Sequence, residues 1–183
     1  MFDFTSWTND NTLSLITIIL AAFGGLFAYL QWRKSVKLKR AEFLNQIIEK
    51  IRFDDEISKA LYLIDYNQSW YDENFHGGSE NEFLMDKLLS YLDYICYLIE
   101  SHNIAKSEEK VLDYDIKRAC ENWSCQAYLW NLYWWAKSRQ STCSFQHLID
   151  YGLSNNIIPE YNFTIDSGKY PKYLNFVNKN ICG

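Results

Sequence analysis

The chain has 183 residues, 48% hydrophobic and 22% charged, a balance that excludes an intrinsically disordered protein and suffices for one compact domain. Seven Gly and two Pro argue against a turn-rich sandwich or barrel and for helices, and 17% of the residues are aromatic. The net charge of −5 is unevenly distributed: Asp3 and Asp10 precede residue 33, five basic residues fill positions 33–40, and 41–183 carries 13 basic and 21 acidic side chains. An acidic body repels a phosphate backbone, so nucleic acid is not expected as a partner.

Residues 1–12 form a short N-terminal tail. Residues 13–32 read LSLITIILAAFGGLFAYLQW, twenty positions without a charge. A helix of that length spans ~30 Å of hydrocarbon, and few buried core helices are apolar on every face. Trp7 and Trp32 bracket the stretch and Tyr29 lies near one end, as interfacial aromatics do. A cleaved signal peptide places its basic residues first. Here Arg33, Lys34, Lys37, Lys39 and Arg40 follow the apolar run. The same asymmetry predicts a single pass through the inner membrane, with the tail outside and the bulk of the chain cytoplasmic. Ala21 with Gly25, and Gly24 with Ala28, stand four apart and suit close helix packing. The basic collar is a topology signal and a potential contact for anionic lipid.

Residues 33–53 continue as a linker helix through Phe43, Leu44, Ile47, Ile48 and Ile51. Residues 54–152 are predicted to form a helical domain, giving an all-α fold with a bundle of about four helices. Asp54 or Asp55 suits the cap of a helix with Ile57, Leu61 and Ile64. Residues 67–81 read as loop. Ser79 with Glu82 matches a capping box, and Leu84, Leu88, Tyr91, Ile95, Leu98 and Ile99 form the following stripe, fading near His102-Asn103. Ile116, Cys120, Trp123, Ala127, Trp130 and Trp134, spaced 4, 3, 4, 3, 4, predict one helix from near Asp113 or Asp115 to Lys137 or Arg139. A shorter helix, about Ser144 to Tyr151, is expected to end at Gly152 as its cap. Residues 153–183 read as an irregular tail packed on the domain.

Catalytic signals are weak, and the residues favour a non-enzymatic role with no cofactor. Cys96, Cys120, Cys125, Cys143 and Cys182 show no ligand spacing and read as reduced thiols, the first two as core residues. Cys143 and His147 alone make a poor metal pair, so no metal is expected. Three His (76, 102, 147) and no nucleophile elbow leave no marked nucleophile. Gly77-Gly78 reads as a turn rather than a phosphate loop. The acids at 54–56, 72–73, 108–109, 113 and 115 read as solvated surface or helix starts. Helical ribonucleases of bacterial conflict systems pair Arg and His about five residues apart, whereas Arg139 and His147 are eight apart. Trp123, Trp130 and Trp134 read as core, with Trp135 and Tyr133 turned toward the tail, a second subunit, the membrane interface or a ligand.

Gln31-Trp32-Arg33, Leu92-Asp93-Tyr94-Ile95, Leu98-Ile99-Glu100, Trp130 to Trp135 with Arg139, and Phe145 to Tyr151 together resemble a bacterial family recorded as a domain of unknown function. The likeness covers about 31–152. It implies a membrane helix, a basic collar and a small helical domain, in a setting of phage defence or exclusion. It supplies no catalytic residue. The expected function is a membrane-tethered protein that binds a protein partner or forms a homo-oligomer. The alternatives are a membrane-anchored hydrolase or degenerate nuclease, and a membrane-perturbing effector assembled through Ala21, Gly24, Gly25 and Ala28.

Overall fold

The computed structural model describes residues 4–66, 70–71 and 78–163. Among these residues the fold is all-α, with six α-helices, one 3₁₀ turn and no strand. The chain divides into two compact units, Met1–Gln46 and Ile47–Gly183.

The first unit is one helical stretch, the greater part of α1 (Phe4–Phe53). No Pro interrupts it, and Gly24-Gly25 sits within it without a break. Every described side chain from Asn11 to Phe43 is exposed, including Ile18, Leu20 and Phe23. The Thr17 hydroxyl donates to the Leu13 carbonyl at 2.9 Å, so this polar group is satisfied inside the helix.

The second unit begins in the last turns of α1, where Ile47 and Ile51 are buried. Phe53 ends α1. Asp54 takes an extended backbone and caps α2 (Asp55–Asp65), accepting at 3.1 Å from the N–H groups of Glu56 and Ile57. Lys87 bridges Asp54 and Glu56 from α3. Ser79 caps α3 (Glu80–Glu100) by accepting from Glu82 N, and the Glu82 carboxylate accepts from Gly78 N at 2.7 Å. α3 packs against α2, α4 and α6, which explains why Met85, Leu89, Leu92 and Cys96 are buried beside the expected Leu84, Leu88, Ile95 and Leu98.

The single long helix expected after Asp113 is two helices. α4 (Lys106–Glu121) starts a full two turns earlier, where the Glu108 carboxylate accepts from Ala105 N at 2.7 Å. α5 (Trp123–Ser138) follows after one residue, Asn122. The Asn122 side chain accepts from Cys125 N at 3.0 Å and donates to Ile64 O at 3.5 Å. Gln126 donates to Cys120 O at 2.7 Å, satisfying a carbonyl at the end of α4. These local bonds replace the helical ladder, so the bundle after α1 has five helices rather than about four.

Gly152 is also not a cap. It lies inside α6 (Gln146–Ser154), buried. A Cβ built there would stand 2.5 Å from Ile158 Cδ1 and 2.7 Å from its Cγ1. The helix ends instead with Asn156 at φ 56, Asn156 N donating to Leu153 O at 3.0 Å and Ile157 N to Gly152 O at 2.8 Å. The 3₁₀ turn Glu160–Phe163 lies against α5, with Phe163 edge-on to Tyr133 at 5.4 Å. The rest of the expected tail, 164–183, lies outside the described residues.

Candidate functional site

The sequence singles out three groups: a small-residue ridge, a basic collar and an aromatic cluster. Ala21, Gly24, Gly25 and Ala28 all fall within the apolar stretch of α1 and are exposed. A Cβ added at Gly24 or Gly25 meets nothing within 4 Å. The ridge is therefore open to close approach by another helix. The stretch around it is long and apolar enough to cross a membrane.

Arg33, Lys34, Lys37, Lys39 and Arg40 follow on the same helix, all exposed. The Arg33 guanidinium carbon lies 5.9 Å from the Tyr29 ring centre, and Tyr29 is 6.1 Å from Trp32. The cation thus turns back one helical turn toward the apolar stretch, the direction in which helical side chains lean.

The aromatic group is not one stripe. The one-residue break at Asn122 changes the phase, and Trp123, the first residue of α5, is 53% exposed. Trp130 is buried, Trp134 half-buried, and Trp135 exposed beneath the Arg139 guanidinium at 4.6 Å. The buried aromatic cluster forms elsewhere. Tyr128 is ringed by Trp70 at 6.0 Å, Tyr71 at 5.5 Å and Phe145 at 6.3 Å. The Tyr128 hydroxyl donates to Asp86 at 2.5 Å, and Asn131 donates to the Tyr71 hydroxyl at 2.6 Å. Burial and the Asp86 carboxylate push the Tyr128 phenol far above its ordinary range, so it stays a proton donor.

Polar side chains converge between α2 and α4, around a cleft of about 380 Å³ that includes Ser58, Tyr62, Asp65, Tyr114, Asp115 and Arg118. Arg118 Nη1 contacts both Asp65 oxygens, at 3.0 and 2.8 Å, and its Nη2 contacts Asp115 at 2.8 Å. Burial raises the Asp115 carboxyl above its ordinary range, against the pull of Arg118 and Arg52. Both acids are engaged by one cation, an arrangement that clamps α2 to α4.

No protein-family model matches this chain, and no curated protein or solved structure matches it either.

The remaining sequence candidates are scattered. Arg139 lies over Trp135, while His147 pairs with Glu100 at 2.7 Å and has Tyr97 beside it at 5.2 Å. Cys143 precedes α6, the helix that carries His147. Cys96, Cys120, Cys125 and Cys143 are buried free thiols; Cys182 lies outside the described residues, as do Asp72, Glu73 and His76. Among the described residues no group of three or more His, Cys, Asp or Glu gathers as a metal site would. The sequence reading missed Trp70 and Tyr71, which it left in a loop. Their adjacency, two large aromatics amid polar residues, was the signal that this loop is anchored in the core.

Proposed function

We propose that the protein is a single-pass membrane protein whose acidic helical bundle works at the cytoplasmic face, by binding a protein partner or by self-assembly. One observation carries this reading: twenty uncharged residues lie on an unbroken helix with their side chains exposed. Leaving Leu, Ile and Phe bare to water forfeits ~1.5–3 kcal/mol each, so the stretch favours a hydrocarbon surround. The five cations after it, with no Lys or Arg before it, favour an outside N-terminus. The exposed ridge of Ala21, Gly24, Gly25 and Ala28 supports self-association. Phage defence, as the setting, rests on the family resemblance alone.

Two measurements test the reading. The full chain should stay with membranes through alkaline extraction, and a C-terminal epitope should resist protease added to intact spheroplasts. Extraction into the aqueous fraction, or digestion of the epitope from outside, would overturn the anchor or its orientation. Gly24→Leu with Gly25→Leu should then reduce energy transfer between labelled copies in the membrane while leaving insertion intact.

A further inference from the structure

The collar is one-sided. On a helix of 3.6 residues per turn, Arg33, Lys34 and Lys37 share one side, Arg40 extends it, and Lys39 falls on the opposite side. All five side chains are exposed, and no acid lies between residues 33 and 40. From this arrangement we infer that Arg33, Lys34 and Lys37 form a binding stripe for the phosphate headgroups of anionic lipids. The inference rests on the membrane reading above and adds the partner and the face.

Depth and charge both fit that ligand. Trp32 and Tyr29 are 62% and 51% exposed just before the stripe, the residue types that settle at the headgroup level. Arg33 lies over Tyr29, so its charge is held near that level rather than projecting away from it. Lys37 stands ~6 Å further along the helix. A headgroup layer is roughly 5–8 Å thick on each side, a depth that matches the ~6 Å rise from Arg33 to Lys37. A guanidinium beside two ammonium groups matches phosphate oxygens, and with no carboxylate in the segment there is no internal competitor. Lys39, facing the other way, supplies charge without joining the stripe.

The full chain, reconstituted in vesicles of phosphatidylcholine with and without phosphatidylglycerol, separates the possibilities. The readout is the association of spin-labelled phosphatidylglycerol relative to spin-labelled phosphatidylcholine. Lys37→Gln and Lys39→Gln make the same change in net charge on opposite sides. Preference for phosphatidylglycerol should fall by up to about fivefold in Lys37→Gln and vanish in the Arg33→Gln/Lys34→Gln/Lys37→Gln variant, while Lys39→Gln keeps it. Equal losses in the two single variants, or no preference in the wild-type chain, would overturn the stripe and leave the anchor standing. Failure of the chain to enter vesicles of either composition would overturn both.

Discussion

Asp93 belongs to α3 but serves α6. Phe145 precedes α6 and has no side-chain acceptor, and the Asp93 carboxylate accepts from Leu148 N at 2.9 Å in its place. Burial pushes the Asp93 carboxyl up, and the Leu148 and His147 N–H groups only partly offset it. Asp93→Ala should therefore lower stability by about 1 kcal/mol in urea unfolding of the full chain in micelles, whereas Asp93→Asn, which keeps an acceptor and sheds the buried charge, should cost much less. Gly152→Ala tests a different contact. Its new methyl must displace buried Ile158, and an overpacking cost of ~1–3 kcal/mol exceeds the ~1 kcal/mol gained in helix propensity. Ile158→Val in the same chain should recover part of the loss. Asp54 sets a pH dependence. Burial raises its carboxyl, but Lys87 and the α2 N–H groups outweigh that and hold it below the ordinary range. A carboxyl lowered on folding stabilises above its unfolded pKa and loses that stabilisation as pH falls through the folded one. The stability gap between the wild-type chain and Asp54→Asn should thus narrow below about pH 4, measured by denaturation midpoints at neutral and acid pH.

At the scale of elements, helix starts written in adjacent residues were legible and helix junctions settled by distant partners were not. Ser79-x-x-Glu82 and Asp54 announce α3 and α2 because a cap is a local bond. The regular spacing from Ile116 to Trp134 hid the break at Asn122, since the apolar stripe runs on through it and a single Asn costs a helix interior only a fraction of a kcal/mol. The break is secured by Asn122 reaching Ile64 on α2, 58 positions away, and by Gln126 closing the end of α4. Asn122→Ala should cost about 1–2 kcal/mol by removing the α5 cap and its tie to α2, visible as a lower unfolding midpoint. Gly152 misled for a related reason. Glycine commonly ends helices, but here three non-glycine residues, His102, Gln140 and Asn156, hold the positive φ after α3, α5 and α6. The glycine answers instead to Ile158 pressing on α6. The apolar stretch and collar were plain because hydrocarbon length and charge order need no tertiary knowledge, whereas the Trp70–Tyr71–Tyr128 cluster joins a loop to α5 and had no periodicity to betray it.

The whole molecule carries two solvation regimes in one chain. The described residues of Met1–Gln46 expose apolar side chains along a helix, and those of Ile47–Gly183 enclose them among helices. Among its described residues the enclosed part holds four thiols at 0–8% exposure, contributed by α3, the end of α4, the start of α5 and the α5–α6 connection. Burial also raises the pKa of each, Cys120 to about 12, so almost none is thiolate near neutrality. Alkylation of these four should wait on transient opening of the fold, and with Cys182→Ser in place its rate becomes an internal clock for how often the bundle breathes. Iodoacetamide should modify them at least tenfold more slowly in the native chain than in urea, and comparable rates would mean that the interior admits solvent. A partner that engages the bundle would slow that clock, so the thiols offer a way to detect one before its identity is known.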